Sequence, residues 1–207
     1  MSTEIAPKQR GDRQKGLIFV GAMAAVMWVE EVIDQVLGGD LDRYGIEPHR
    51  VSGLEGIVFA PFLHANFSHL IGNTIPFLVL GATIALSGLF RVAAATAIVA
   101  FVGGLGTWIF APAGTDHIGA SGVVFGYATY LISRGLFSRN LLHLGVGVFV
   151  IAVYGSTLLF ALAPRDGISW QGHLFGGVGG VVAARLLDRR AEKQARRRED
   201  PLAGLTG

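Results

Sequence analysis

The feature that most constrains this chain is a set of six long apolar runs. A segment needs about 20 apolar residues to cross a bilayer as a helix, whereas an amphipathic helix of a soluble protein carries only an apolar stripe. The runs cover residues 17–37, 69–88, 91–110, 119–137, 141–162 and 171–187. The sequence therefore predicts an all-α membrane protein, a bundle of six transmembrane helices.

The composition agrees with a single membrane domain. Hydrophobic residues make up 51% of the chain and charged residues 15%, far from the soluble average. We expect a basic N-terminal tail at 1–16, the membrane domain at 17–187 and a basic C-terminal tail at 188–207. The connections are too short for a separate soluble domain, apart from a first loop at 38–68.

Two further features narrow the class of protein. The first apolar run could imitate a signal peptide, but Glu30, Glu31 and Asp34 near its far end favour a retained span. Cysteine is absent, which excludes disulfides, thiolate metal sites and a cysteine nucleophile.

The basic residues predict how the bundle is oriented. Of the 17 Lys and Arg residues, only Arg43, Arg50 and Arg165 lie in the connections of one side. By the positive-inside rule, both termini are cytoplasmic, which an even number of spans requires. An Arg-rich tail directly after a span is explained by topology and anionic lipid headgroups, so we expect no nucleic-acid partner.

The fourth run begins with Gly119, Ala120, Ser121 and Gly122. Small residues let a substrate carbonyl approach the hydroxyl, and a helix N-terminus offers unpaired N–H groups to an oxyanion. Gly and Ser are also common where membrane helices touch, so this tetrapeptide alone leaves both interpretations open.

The sixth run begins near His173, followed by Gly176 and Gly180. Imidazole can take a proton from serine near neutral pH. The spacing of the two glycines allows two helix backbones to touch, which would bring His173 against a neighbouring span, most naturally the fourth. A purely structural histidine remains the alternative.

The second run begins with His69 and Asn73, which lie four residues apart and so share a helix face. Two donors converging beside a nucleophile would form an oxyanion hole. They could equally cap the helix entrance. However, Ser121, His173, His69 and Asn73 all lie within a turn or two of the predicted outer ends of their spans, as a single water-accessible site requires.

These residues resemble the motifs of the rhomboid intramembrane proteases, and the resemblance covers all six runs. The second carries His-x-x-x-Asn at His69 and Asn73, and the fourth carries Gly-x-Ser-Gly from Gly119 to Gly122. The sixth carries His-x-x-Gly-x-x-x-Gly at His173, Gly176 and Gly180.

The resemblance implies a serine endopeptidase with a Ser/His dyad that lacks an acid and uses no metal or cofactor. Ser121 would be the nucleophile and His173 the general base. The Ser121 N–H group, His69 and Asn73 would form the oxyanion hole. The substrates implied are membrane proteins, cleaved in or near a transmembrane segment. The fifth span and the loop at 163–171 would control access.

Other positions match the family incompletely. Phe125 stands where many relatives carry tyrosine, so we expect it to stack on the histidine without a hydroxyl contact. The Trp-Arg pair of many relatives is not evident in the first loop, which puts the anchoring of that loop in doubt. His64 matches a structural histidine. His117, four residues before Ser121, has no partner that the sequence identifies.

Two other functions compete with proteolysis. A catalytically inactive relative would bind transmembrane clients, but such proteins usually lose the serine or the histidine. A transporter or channel would show broken spans and internal repeats, and the sequence has neither. The compact chain favours a bacterial plasma membrane, with the site toward the outer face. The sequence leaves the oligomeric state open.

Overall fold

A computed structural model of the chain describes residues 7–138, 140–165 and 167–199. Within these residues the fold is helical, and the only extended pairs are isolated bridges. The α-helices are α1 (Pro7–Leu37), α2 (Gly56–Phe59), α3 (Phe67–Ala85), α4 (Leu89–Phe110), α5 (Ser121–Phe137), α6 (Leu141–Ala161) and α7 (Trp170–Glu199). Arg139, Asp166 and the ends of the predicted tails, 1–6 and 200–207, lie outside the described residues.

The described helices confirm an all-helical membrane architecture. By length and composition, α1, α3, α4 and α6 can each cross a bilayer, and they coincide with the first, second, third and fifth apolar runs. The fourth and sixth spans stay predictions, and α5 is 17 residues long. Helices α1 and α7 extend beyond their apolar runs, because Lys, Arg, Gln and Glu are good helix formers outside lipid.

Helix α5 lies at the centre of the bundle, where it packs against α3, α4, α6 and α7. Its Tyr127 is fully buried and stacks on Phe77 of α3, with ring centroids 5.6 Å apart. The Tyr127 hydroxyl lies 2.6 Å from Thr96 Oγ1 of α4. A buried aromatic ring whose hydroxyl is satisfied fixes the position of α5 between its neighbours.

The first loop, between α1 and α3, is anchored to the residues before α5 and to α4. Ile46 and His117 exchange backbone hydrogen bonds of 3.0 and 3.1 Å. The Trp108 indole N–H group donates to the Arg50 carbonyl at 2.7 Å. The loop is therefore anchored by backbone hydrogen bonds and by the Trp108 indole, without a Trp-Arg pair of its own in this segment. We call this end of the bundle the Ser121 end.

A cluster of charged and polar side chains closes the opposite end. Arg91 Nη1 donates to Asp188 Oδ1 at 2.6 Å and to the Tyr130 hydroxyl at 3.0 Å. Arg134 Nη1 donates to Ser87 Oγ at 2.8 Å. These contacts join α4, α5 and α7 at what we call the Asp188 end.

Candidate active site

The turn before α5 brings Ser121 to the start of its helix. Gly119 has φ +112°, in the left-handed region that favours glycine. Its N–H group donates to the Ala60 carbonyl at 2.8 Å. A Cβ atom at Gly119 would lie only 2.8 Å from His69 Cε1. Both conformation and space therefore require glycine here, and Ser121 follows as the first residue of α5.

His173 lies in the first turn of α7 and points at Ser121. Its Nε2 atom is 2.8 Å from Ser121 Oγ, and its Nδ1 atom is 2.8 Å from the Ala161 carbonyl at the end of α6. A carbonyl only accepts hydrogen bonds, so Nδ1 carries the proton, and neutral imidazole then presents an unprotonated Nε2 to the serine. This is the arrangement that a general base needs.

An aromatic side chain supports the imidazole from one side. The Phe125 ring lies one turn after Ser121 on α5 and stacks on His173, with centroids 4.3 Å apart and planes 4° from parallel. The histidine is thus held at Nδ1 by a backbone carbonyl and on its face by a ring. Both contacts restrict rotation about its side-chain bonds.

Glycines allow α5 and α7 to approach closely enough for the Ser121–His173 contact. A Cβ atom at Gly176 would collide with the Gly122 carbonyl oxygen, and one at Gly180 would collide with the Gly126 carbonyl oxygen. The backbones of the two helices therefore touch at two successive levels. Sequence reasoning identified three of these glycines and missed Gly126, although Gly122-x-x-x-Gly126 repeats the same spacing.

His69 and Asn73 line the other side of the turn at Gly119. A Cβ atom there would lie 2.9 Å from His69 Nε2 and 3.5 Å from Asn73 Nδ2. Asn73 is buried, and its Nδ2 atom has no hydrogen-bond partner among the described residues. The structure thus brings His69 and Asn73 to the turn that leads into Ser121 and His173 to the serine itself, with one free buried donor beside that turn.

Two cavities lie in this region. A cavity of about 50 Å³ is lined by Ser121, Gly119 and Thr107, which is space for a few water molecules. A larger one of about 730 Å³ opens beside it and is lined by His69 and Trp170. Within the described residues no group of three His, Asp or Glu side chains is arranged to hold a metal ion.

Comparison with known proteins decides the family. A family model described as the Rhomboid domain matches residues 52–190, about two thirds of the chain. The chain belongs to the rhomboid family. Together with the four long apolar helices, membership makes it an integral membrane protein, and the family as a whole suggests intramembrane proteolysis.

The relatives of this rhomboid protein extend the match beyond that domain. An uncharacterised protein of Mycobacterium tuberculosis is 49% identical over 180 residues, which cover 83% of this chain and 75% of the relative. One of Mycobacterium leprae is 44% identical over 186 residues, covering 86% and 74%. A Bacillus subtilis protein named "Putative rhomboid protease YdcA" is 29% identical over 186 residues, covering 85% and 90%.

Two other histidines surround the site of this rhomboid protein. His64 Nε2 accepts from the Ala120 N–H group at 3.4 Å, and burial lowers the pKa of His64 to about 4. His117, for which the sequence identified no partner, lies 2.7 Å from Ser169 Oγ. Sequence reasoning also missed the Ala161 carbonyl, since no residue type marks a backbone acceptor.

Proposed function

We propose that this protein is an intramembrane serine endopeptidase that hydrolyses peptide bonds in or near transmembrane segments of membrane proteins. The observation that carries the proposal is the 2.8 Å contact between Ser121 Oγ and His173 Nε2. The Ala161 carbonyl, which accepts from Nδ1, does the orienting that an aspartate does in a Ser-His-Asp triad. A dyad can therefore operate without an acid.

The mechanism follows from these roles. Ser121 Oγ attacks the scissile carbonyl carbon while His173 Nε2 takes the hydroxyl proton. The resulting oxyanion accepts hydrogen bonds from the Ser121 N–H group, Asn73 Nδ2 and the His69 ring. His173 then protonates the leaving amine, which breaks the peptide C–N bond. Water, deprotonated by His173, attacks the acyl carbon, and His173 then returns the proton to Ser121 Oγ as the acyl C–O bond breaks.

The proposed substrates are transmembrane proteins that reach the site from the bilayer. A helix buries its own carbonyl groups, so a substrate must unwind before attack, and helix-destabilising residues near the cleaved bond would help. Helix α6 packs mainly against α5, and of its residues only Gly147 and Val150 are buried. This loosely packed helix supports access between α3 and α6.

The proposed setting is a bilayer crossed six times, with both termini in the cytoplasm and the Ser121 end outside. The central position of α5 and its contacts with α7 support the crossing of both helices. The distribution of Lys and Arg supports the orientation, and a bacterial plasma membrane fits the bacterial relatives.

The test compares wild type with Ser121→Ala and His173→Ala on a model transmembrane substrate in proteoliposomes. We expect both variants to lose cleavage by at least about 1000-fold, and a serine-directed phosphonate to label wild type only at Ser121. Ser133→Ala, three turns further along α5, is the matched control and should cleave like wild type. Undiminished cleavage by either dyad variant would exclude this mechanism. Substrate binding without cleavage by wild type would favour an inactive client-binding protein.

A further inference from the structure

His117 occupies a junction between three segments of the Ser121 end. Its backbone pairs with Ile46 of the first loop. Its ring bridges two hydroxyl groups: Nδ1 lies 2.7 Å from Ser169 Oγ, and Nε2 lies 2.8 Å from Thr115 Oγ1. The side chain is partly buried, and the Ser121–His173 contact does not use it.

The hydrogen bonds around His117 have one consistent direction. The Thr115 hydroxyl donates to the Pro112 carbonyl at 2.7 Å, so its oxygen accepts from His117 Nε2–H. In neutral imidazole Nδ1 is then unprotonated and accepts from the Ser169 hydroxyl. Burial lowers the pKa of His117, against the opposing effect of Asp116, which agrees with a neutral ring.

Ser169 is the N-cap of α7, the helix that carries the base. Its Oγ atom accepts from the Gly172 N–H group at 3.3 Å, and its carbonyl accepts from the His173 N–H group at 3.1 Å. This is the pattern by which a serine fixes the first turn of a helix. Whatever holds the Ser169 hydroxyl therefore also holds the turn that contains His173.

We infer that His117 is a positioning residue that, through Ser169, holds the first turn of α7 in place against the segment leading to Ser121. His117 lies four residues before the serine, and Ser169 lies four residues before the histidine base. Segments 117–121 and 169–173 are thus joined at both ends, by the 2.7 Å His117–Ser169 bond and by the Ser121–His173 contact. A shift at the His117–Ser169 contact therefore changes the distance between Ser121 and His173.

His117 does not itself supply a second base. Both of its ring nitrogens are engaged, and Ser169 Oγ is fixed by the cap. The inference rests on the proposed function, because it assigns His117 to the geometry of the Ser121–His173 pair. The experiment must therefore separate a failure of His117 from a failure of the dyad.

The experiment measures kcat and KM in proteoliposomes for His117→Ala, Ser169→Ala and the double variant. A misplacement of about 1 Å can cost roughly 100-fold in rate, so we expect each single variant to lose about 10- to 100-fold in kcat with KM within about twofold. Because both act through one contact, the double variant should be no slower than the slower single variant.

Conservative replacements give a second readout that does not depend on His117→Ala folding well. Asparagine places a polar atom near the position of Nδ1, and glutamine places one near Nε2. We expect His117→Asn to keep the Ser169 contact and recover most of the kcat, while His117→Gln recovers little. The matched control is His143→Ala, which removes a 2.8 Å histidine–serine contact with Ser138 at the Asp188 end and should leave kcat unchanged.

Several results would overturn the inference. One is an unchanged kcat in His117→Ala, and another is a kcat loss in the double variant that equals the product of the two single losses. The inference also fails if His117→Gln and His117→Asn recover kcat equally, or if His143→Ala loses as much kcat as His117→Ala. Phosphonate labelling of wild type at Ser121, absent in Ser121→Ala, establishes Ser121 as an activated nucleophile independently of His117. If wild type is neither labelled nor active, the proposed function has failed. The link between His117 and Ser169 is then tested by thermal unfolding: the double variant should lower the melting temperature by no more than the more destabilised single variant does, and additive shifts would contradict the link.

Discussion

At the scale of single residues, Asn73 has a buried amide donor that the fold leaves without a partner. Its Nδ2 atom is buried and makes no hydrogen bond within the described part of the chain, and leaving such a group unpaired costs about 1–3 kcal/mol. Stability alone would favour an apolar side chain at this position. A donor kept beside the Gly119 turn despite that cost is what the proposed oxyanion hole requires before substrate binds.

Replacing Asn73 should therefore affect activity without lowering stability. We expect Asn73→Ala to lower kcat by about 10- to 1000-fold, as the loss of one oxyanion donor does in other hydrolases, with KM nearly unchanged. The midpoint of thermal unfolding in detergent should not fall, because the variant also removes an unpaired buried donor. Steady-state kinetics and a thermal melt on the same preparation measure both.

A second asparagine provides the opposite control. Asn140 caps α6, and its Oδ1 atom accepts from the Leu142 N–H group at 2.9 Å. Loss of this cap costs about 1 kcal/mol, so Asn140→Ala should melt at a lower temperature and keep its kcat. If Asn73→Ala instead melts earlier and keeps its kcat, Asn73 is a structural residue and the oxyanion assignment is wrong.

At the scale of helices, the close contact between α5 and α7 determines whether serine and histidine can meet. Adding one methyl group at Gly176 forces it against the Gly122 carbonyl oxygen, and overpacking of this kind costs about 1–3 kcal/mol. We expect Gly176→Ala to separate the helices, lower the melting temperature and reduce kcat/KM by about 100-fold or more. Kinetics and thermal unfolding together measure the effect.

The neighbouring glycine, Gly177, tests whether the losses expected in Gly176→Ala come from the α5–α7 contact or from a change in helix propensity. A Cβ atom at Gly177 would lie 3.5 Å from Thr129 Cγ2, an ordinary distance. Alanine is favoured over glycine within a helix by about 1 kcal/mol, so Gly177→Ala should be at least as stable as wild type and equally active. Equal losses in both variants would show that the α5–α7 contact has no special role.

The helices were predictable from sequence to a greater extent than the contacts between them. The free energy of transferring apolar side chains out of water adds up over a whole segment, so hydropathy predicts a helix such as α4 to within a few residues. The glycine spacing on α7 predicted a backbone contact as well. By contrast, His117 and Ser169 are 52 positions apart, and Arg91 and Asp188 are 97 apart. Such pairs exist only after the bundle has packed, and no local pattern marks them.

At the scale of the whole molecule, the two ends of the bundle have different chemistry. The Ser121 end gathers hydrogen-bonding groups around two cavities, while the Asp188 end is closed by an ion pair between Arg91 and Asp188 with side chains 15% and 9% exposed. Lys and Arg flank the Asp188 end in excess. The basic residues and the Ser121 site thus lie at opposite ends of the bundle. In the proposed orientation, the line between these ends runs along the membrane normal.

That orientation can be tested directly, because the chain has no cysteine of its own. Val51 in the first loop is 82% exposed, and Arg189, beyond the apolar part of α7, is also exposed. If α3 to α7 contribute five crossings between these positions, they lie on opposite sides of the membrane. We expect a membrane-impermeant maleimide to label Val51→Cys in intact cells, and Arg189→Cys only after permeabilisation.

The reverse pattern would invert the orientation. Labelling of both positions from the same side would mean an even number of crossings between them, so that α5 or α7 fails to span and the six-span arrangement is wrong.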